Sequence, residues 1–121
     1  MKYWIAGSRM LYGTDWVDEK LTTLICWGAS EFKTGGAIGI DRVAEWVIKN
    51  RQMGKLHPPL LPEWDKYGKA AGVIRNEEGV KWADIIVVFW DGESRGSKNV
   101  IKNAMKYKKE LHVYIYEDKP L

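Results

Sequence analysis

The sequence predicts an α/β fold: a single Rossmann-like three-layer domain spanning residues 1–121, with a mostly parallel five-stranded sheet and helices on both faces. Three observations predict it. Ile85–Trp90 is a continuous apolar run rich in β-branched and aromatic residues, the pattern of a strand buried on both faces. Strand-like and helix-like stretches alternate along the chain, which calls for crossover helices and parallel strands. Three strand-like stretches run straight into polar, glycine-bearing loops, at Gly7-Ser8-Arg9, Thr34-Gly35-Gly36 and Asp91-Gly92. In a parallel sheet these loops share the carboxyl edge, where ligands bind near the point at which strand order reverses.

In order along the chain, residues 3–6 read as the first strand, and Gly7 directly after it lets backbone approach a ligand closely. Asp15 can cap a helix whose apolar positions Val17, Leu21, Leu24 and Ile25 keep helical spacing. Residues 32–34 form a weak second strand that enters a glycine loop ending at Asp41. A helix carrying Val43, Ala44, Trp46, Val47 and Ile48 follows. Residues 55–61 are extended, and Pro58 and Pro59 make them an edge strand at best. A polar segment covers 63–69, then a helix runs from about Gly68 to Trp82 with Gly72 and Gly79 inside it, each costing about 1 kcal/mol against Ala. Glycines kept inside a helix suggest close packing or close ligand approach. After Ile85–Trp90 and its loop, a helix places Val100, Ile101, Ala104 and Met105 on one face, and the alternation over 111–116 reads as the fifth strand.

A length of 121 residues suits one core, and 45% apolar with 29% charged residues is ordinary for a globular chain. Seven Trp supply large buried area and candidate pocket walls. The net charge of +3 is spread along the chain and is too mild to argue for nucleic acid by itself. Lys98, Lys102, Lys106, Lys108 and Lys109 gather on the polar side of one predicted helix, and a solvated face accounts for them. Cys26 is the only cysteine, so no intrachain disulfide forms. It reads as a buried thiol in a reducing, cytoplasmic compartment. The opening Met1-Lys2-Tyr3-Trp4 leads into a strand rather than a leader, and no apolar stretch is long enough to span a bilayer.

Neither a Gly-x-Gly-x-x-Gly fingerprint nor a Walker A sequence follows the first strand, which argues against a standard dinucleotide or P-loop site. His57 and His112 are far apart and lack a spaced partner, so no metal is expected. Gly35, Gly36 and Gly39 alone are compatible with turn glycines. With Gly96-Ser97, which also precede a helix, they make a phosphate-binding edge, and Ser97 can cap that helix as well. Arg9 and Arg75 suit bidentate phosphate or carboxylate contacts, against surface ion pairs as the plainer alternative. Asp41, Glu63, Asp65 and Asp91 can accept from ribose hydroxyls or base N–H groups, while Asp41 also suits a helix start. Trp64, Tyr67 and Trp90 can stack on a base, although Trp90 equally suits core.

With these residues in view, the sequence resembles the YspA-like family of the SLOG superfamily. The resemblance rests on Gly7-Ser8-Arg9, on residues 34–41, on the block Trp64-Asp65-Lys66-Tyr67-Gly68-Lys69-Ala70-Ala71-Gly72 running on to Arg75-Asn76, on Ala83-Asp84, and on residues 89–97. It covers nearly the whole chain in order. It implies a Rossmann-like domain related to LOG phosphoribohydrolases and DprA, with a nucleotide-type ligand held by the loops after the first, second and fourth strands. The ligand-binding residues it implies are Gly7, Ser8, Arg9, Thr34, Gly35, Gly36, Ala37, Asp41, Trp64, Asp65, Tyr67, Lys69, Arg75, Asn76, Trp90, Asp91, Gly92, Gly96 and Ser97. It also implies a homodimer or higher homo-oligomer, and no cofactor beyond the nucleotide-type ligand.

LOG-type enzymes carry a Pro-Gly-Gly-x-Gly-Thr-x-x-Glu loop whose Glu, with an upstream Arg, serves catalysis. Arg75 matches that Arg and Gly96-Ser97 the Gly-Thr, but the Glu position falls on Val100. The expectation is therefore a non-catalytic sensor, carrier or sequestering protein for a nucleotide or an ADP-ribose-like signal. The alternative is a hydrolase of an N-glycosidic or phosphoester bond using Arg75, Asp91 or Glu93. A DprA-like nucleic-acid binder stands third.

Overall fold

Tyr3 and Trp4 are neighbours in sequence and face opposite sides of one sheet, as the period of two along a strand requires. In the computed structural model, which describes residues 1–25 and 30–116, five strands form that sheet: β1 (Lys2–Gly7), β2 (Glu31–Thr34), β3 (Lys55–Leu56), β4 (Ile85–Trp90) and β5 (Glu110–Ile115). All pairings are parallel and the order is β3-β2-β1-β4-β5. The predicted α/β architecture is thus observed, with an all-parallel sheet where a mostly parallel one was expected. From β1 the chain builds outward through β2 to β3. It then crosses back to lay β4 on the other side of β1, so strand order reverses between β1 and β4.

The helices are α1 (Thr14–Leu24), α2 (Ile40–Arg51), α3 (Trp64–Tyr67), α4 (Ala71–Trp82) and α5 (Arg95–Lys106), with a 3-10 turn at Gly68–Ala70. On one face, Val17 and Leu21 of α1 and Ala44, Val47 and Ile48 of α2 pack against Tyr3, Ile5, Val87 and Phe89. On the other, Val80 of α4 and Val100 and Ala104 of α5 pack against Trp4, Ala6, Ile86 and Val88. Both faces of β4 are therefore covered, which is why its sequence is apolar without alternation.

Several local expectations are corrected. Gly13, not Asp15, stands at the N-cap position of α1, with no side-chain cap. Asp15 lies in the first turn, where the helix dipole favours it. Residues 55–61 form a ladder only at Lys55–Leu56 before the prolines end it. The polar segment at 63–69 contains α3, and the helix expected from Gly68 begins in α form at Ala71. Trp46 and Met105 face solvent rather than core. The fifth strand is shifted by one residue, to Glu110–Ile115. Ser97 does not cap α5, because Ser94 holds the N-cap position and Ser97 lies within the helix. Cys26 lies outside the described residues.

Candidate functional site

Ser8 ties together the loops at the carboxyl edge. Its backbone N–H donates to Phe89 O at 3.0 Å, and its carbonyl accepts from Leu11 N–H at 3.3 Å and Ile40 N–H at 3.4 Å. Its Oγ accepts from Asp91 N–H at 3.1 Å. The loop after β1 is thereby fastened to the end of β4 and to the start of α2. Gly39 makes this possible: it has φ +81°, and a Cβ there would run into the Ser8 and Arg9 backbone.

The next loop is held from within. Thr34 Oγ1 donates to Glu45 Oε2 at 2.6 Å and accepts from Gly36 N–H at 3.1 Å. Asp41 Oδ2 accepts from Ala37 N–H at 3.2 Å. The Asp41 carboxyl is buried, and burial pushes its pKa up to about 6, against the opposing pull of the Ala37 N–H and the Arg75 charge.

Arg75 reaches this loop from α4. Its Nη1 donates to Gly35 O at 3.0 Å and its Nε to Asn76 Oδ1 at 2.8 Å. A Cβ on Gly35 would overlap the guanidinium, so the glycine gives it its seat. Burial draws the Arg75 pKa down while Asp41 raises it and Arg9 lowers it. Asn76 Nδ2 in turn donates to Asn99 Oδ1 at 3.1 Å, linking α4 to α5.

After β4, Asp91 Oδ1 accepts from the Glu93 and Ser94 N–H groups at 2.9 and 2.8 Å. These bonds, the one from Ser94 foremost, hold its pKa below the usual carboxylate range. The turn delivers the chain to α5, whose N-terminus has no side-chain cap. The first N–H groups of a helix have no intrahelical acceptor, and here Ser94, Gly96 and Ser97 border open space.

These elements enclose a cleft of about 410 Å³ between β1 and β4, at the point where strand order reverses. The structure brings together Gly7 and Arg9, Gly35, Ala37 and Asp41, Arg75 and Asn76, and Asp91, Glu93, Gly96 and Ser97 along its wall. Two guanidinium groups (Arg9, Arg75) meet three carboxyl groups (Asp41, Asp91, Glu93) there. Such a mixture suits a ligand carrying both an anionic group and hydroxyls.

No protein-family model matches the chain. Over 90 residues it is 38% identical to Gene 61 protein of Mycobacterium phage D29, an alignment covering 71% of this chain and 70% of the phage protein. The chain belongs to the family of Gene 61 protein. That name specifies a locus and no activity, so the chemistry of this Gene 61 family member rests on its cleft.

Other residues singled out in the sequence lie off the cleft wall of this Gene 61 family member. Ser8 and Thr34 are buried and hold the loops. Gly36 faces Pro59 and Leu61, and Gly92 faces open space. Trp90 packs on the α4/α5 side of the sheet, and its Nε1 donates to Ser94 O at 3.1 Å. Trp64, Asp65, Tyr67 and Lys69 are exposed on α3 and the turn after it. Tyr67 borders a separate depression of about 20 Å³ that shares Arg75 with the main cleft.

Trp4, Ala6, Met10 and Ser94 line the cleft without having been singled out, and Val100 lines it as well. A signal existed for two of them: Trp4 and Ala6 occupy alternate positions of β1, on the face that α4 and α5 cover. His57 and His112 each pair with a glutamate, Glu31 and Glu110, at 2.8 Å. No helix among the described residues is long and apolar enough to cross a membrane.

Proposed function

We propose that this Gene 61 family protein is a YspA-like SLOG domain that binds a nucleotide or nucleotide-derived, ADP-ribose-like ligand as a sensor, carrier or sequestering protein. The observation that carries the reading is the uncapped start of α5. It opens through Gly96 onto the switch-point cleft, which Arg75 also lines. Backbone N–H groups at a helix start hold phosphate well, and Gly96 leaves the approach clear, with nothing beyond its own stretch of helix within 4 Å of where a Cβ would stand. Arg9 and Arg75 would balance the phosphate charge, and Asp41 or Glu93 would accept from the sugar hydroxyls. Asp91, whose Oδ1 already accepts from two N–H groups, also lines the cleft and would share that task. A homodimer belongs to the same reading.

The test is thermal-shift screening of AMP, ADP-ribose, cyclic nucleotides and NAD, with recovered ligand analysed by chromatography. A dose-dependent rise in melting temperature with intact ligand is expected. Arg75→Ala should abolish the shift, and a full shift in that variant would misplace the site.

The second reading, a hydrolase of the same ligand class, is favoured by one observation: the Asp41 carboxyl, with its pKa near 6, can exchange a proton close to neutral pH. Release of free base or ribose phosphate in the same assay would establish it despite Val100.

A further inference from the structure

Asparagine is a poor residue for a helix interior, yet Asn76 of α4 and Asn99 and Asn103 of α5 all stand inside helices. Asn76 and Asn103 are buried, on the helices that also supply Val80, Val100 and Ala104 to the core. Their side chains form one series of hydrogen bonds, and it starts at Arg75. A guanidinium only donates, so the atom that takes the Arg75 Nε–H at 2.8 Å is the Asn76 carbonyl oxygen. That choice leaves the Asn76 Nδ2 in need of an acceptor, and Asn99 Oδ1 supplies one across the helix pair at 3.1 Å. Asn103 Nδ2 donates to the same oxygen at 3.4 Å. Reversed, the Asn76 amide would set its own NH2 against the Arg75 Nε–H, donor against donor. The other hold on the guanidinium is Nη1 on Gly35 O at 3.0 Å, and Nη2 has no acceptor among the described residues. Arg75 and Asn76 line the cleft, whereas Asn99 lies off its wall.

We infer that Asn99 is a positioning residue for the anion site: by accepting from the Asn76 amide it fixes which end of that amide meets Arg75, and so holds the guanidinium in place for the ligand. The inference rests on the phosphate-binding reading of the cleft. It ties together the two halves of that site, since Asn99 belongs to α5, whose uncapped start offers backbone donors, and Arg75 to α4. A guanidinium already held at Nε and Nη1 gives up little freedom when a ligand arrives, and Nη2 is left for an oxygen of the phosphate. The arrangement also accounts for asparagine at positions where leucine would suit both helix and core.

The experiment compares the full chain with Asn99→Leu, which removes the acceptor at similar volume, and Asn99→Asp, which keeps one. Exchange of the Arg75 Nε–H with solvent is read by ¹⁵N NMR without ligand, its signal identified by its loss in Arg75→Lys. In the parent it should exchange about ten-fold more slowly than that of exposed Arg95, the protection expected of one charge-assisted hydrogen bond. Asn99→Leu should lose that protection and Asn99→Asp should keep it. In titrations with AMP and ADP-ribose, Asn99→Leu should bind about three- to ten-fold more weakly than the parent. A purely structural role would lower the melting temperature of Asn99→Leu and leave both readouts unmoved.

Protection that survives in Asn99→Leu would overturn the inference and leave the phosphate reading standing. So would binding of AMP or ADP-ribose by that variant with the affinity of the parent. Binding of neither probe by the parent would remove the phosphate reading, and this inference with it. Should Asn99→Leu fail to fold, Asn99→Ala removes the acceptor without adding bulk. The parent also decides by itself, because an Arg75 Nε–H that exchanges as fast as that of Arg95 would mean that the asparagines do not hold it.

Discussion

At Asp41 a carboxyl is buried against the loop that holds Arg75, and its pKa rises from an ordinary 3.8 to about 6, chiefly through burial. The folded protein thus binds this proton more tightly than the unfolded chain. The associated stability is fully present below about pH 3.8 and is lost as pH rises through about 6. Asp41→Asn keeps an oxygen for the Ala37 N–H and never ionises. At pH 7 it should be more stable than the parent by up to about 2–3 kcal/mol, and the difference should vanish toward pH 4 in urea titrations. A gap that stays constant with pH would contradict this account. At the same residue scale, the sequence marked Asp41 as a ligand or helix-start carboxylate because acidic residues after glycine loops do both. It held no sign that the group is nine-tenths buried, since that depends on Gly35 and Arg75, the latter contributed by a helix 34 residues away. Ser8 is the converse case: it was marked by the loop after the first strand, and its long-range bonds to Phe89, Ile40 and Asp91, which fasten that loop, could not be read from its neighbours in sequence.

Helix α4 carries its two interior glycines for different reasons. Gly79 lies flush against Trp4, so Gly79→Ala forces ring or helix to shift. Overpacking should cost about 1–3 kcal/mol, outweighing the gain of about 1 kcal/mol in helix propensity. At Gly72 an added Cβ would meet only Trp64 Cη2 at 3.6 Å, an ordinary contact, so Gly72→Ala should stabilise by up to about 1 kcal/mol. Chemical denaturation of the two variants should give opposite signs, and equal signs would refute the packing account. From sequence the two glycines were indistinguishable, because what separates them is a strand 75 residues away in the chain. The strand β4 was legible to the residue because its apolar run is bounded by Asp84 and Asp91. The start of α5 was not: Gly96-Ser97 looked like the entry signal, whereas the Asp91 turn sets the entry at Ser94. The Trp64 block, the most specific part of the family resemblance, forms α3 and a 3-10 turn beside the cleft rather than its wall.

Across the whole molecule, the glycine loops after β1, β2 and β4 converge on one edge as parallel topology demands, and that much followed from element order alone. The cleft draws on residues from Trp4 to Val100, and its central seam is the β1–β4 ladder, which pairs Tyr3 with Ile85 and Gly7 with Phe89. Nothing local prefigures this seam. Pairing the two strands closes a loop of some eighty residues, a separation that slows folding and sets the surrounding loops to depend on it. A nucleotide bound as proposed would meet a finished cleft and have little to grip before the barrier is crossed. Nucleotide at 100 times its Kd should therefore leave the refolding rate unchanged and slow unfolding by about 100-fold in stopped-flow measurements. Faster refolding would mean that the seam forms early, around the ligand. With the expected result, occupancy acts as a lock on exit from the native state, and the lifetime of this protein becomes a function of how much ligand surrounds it.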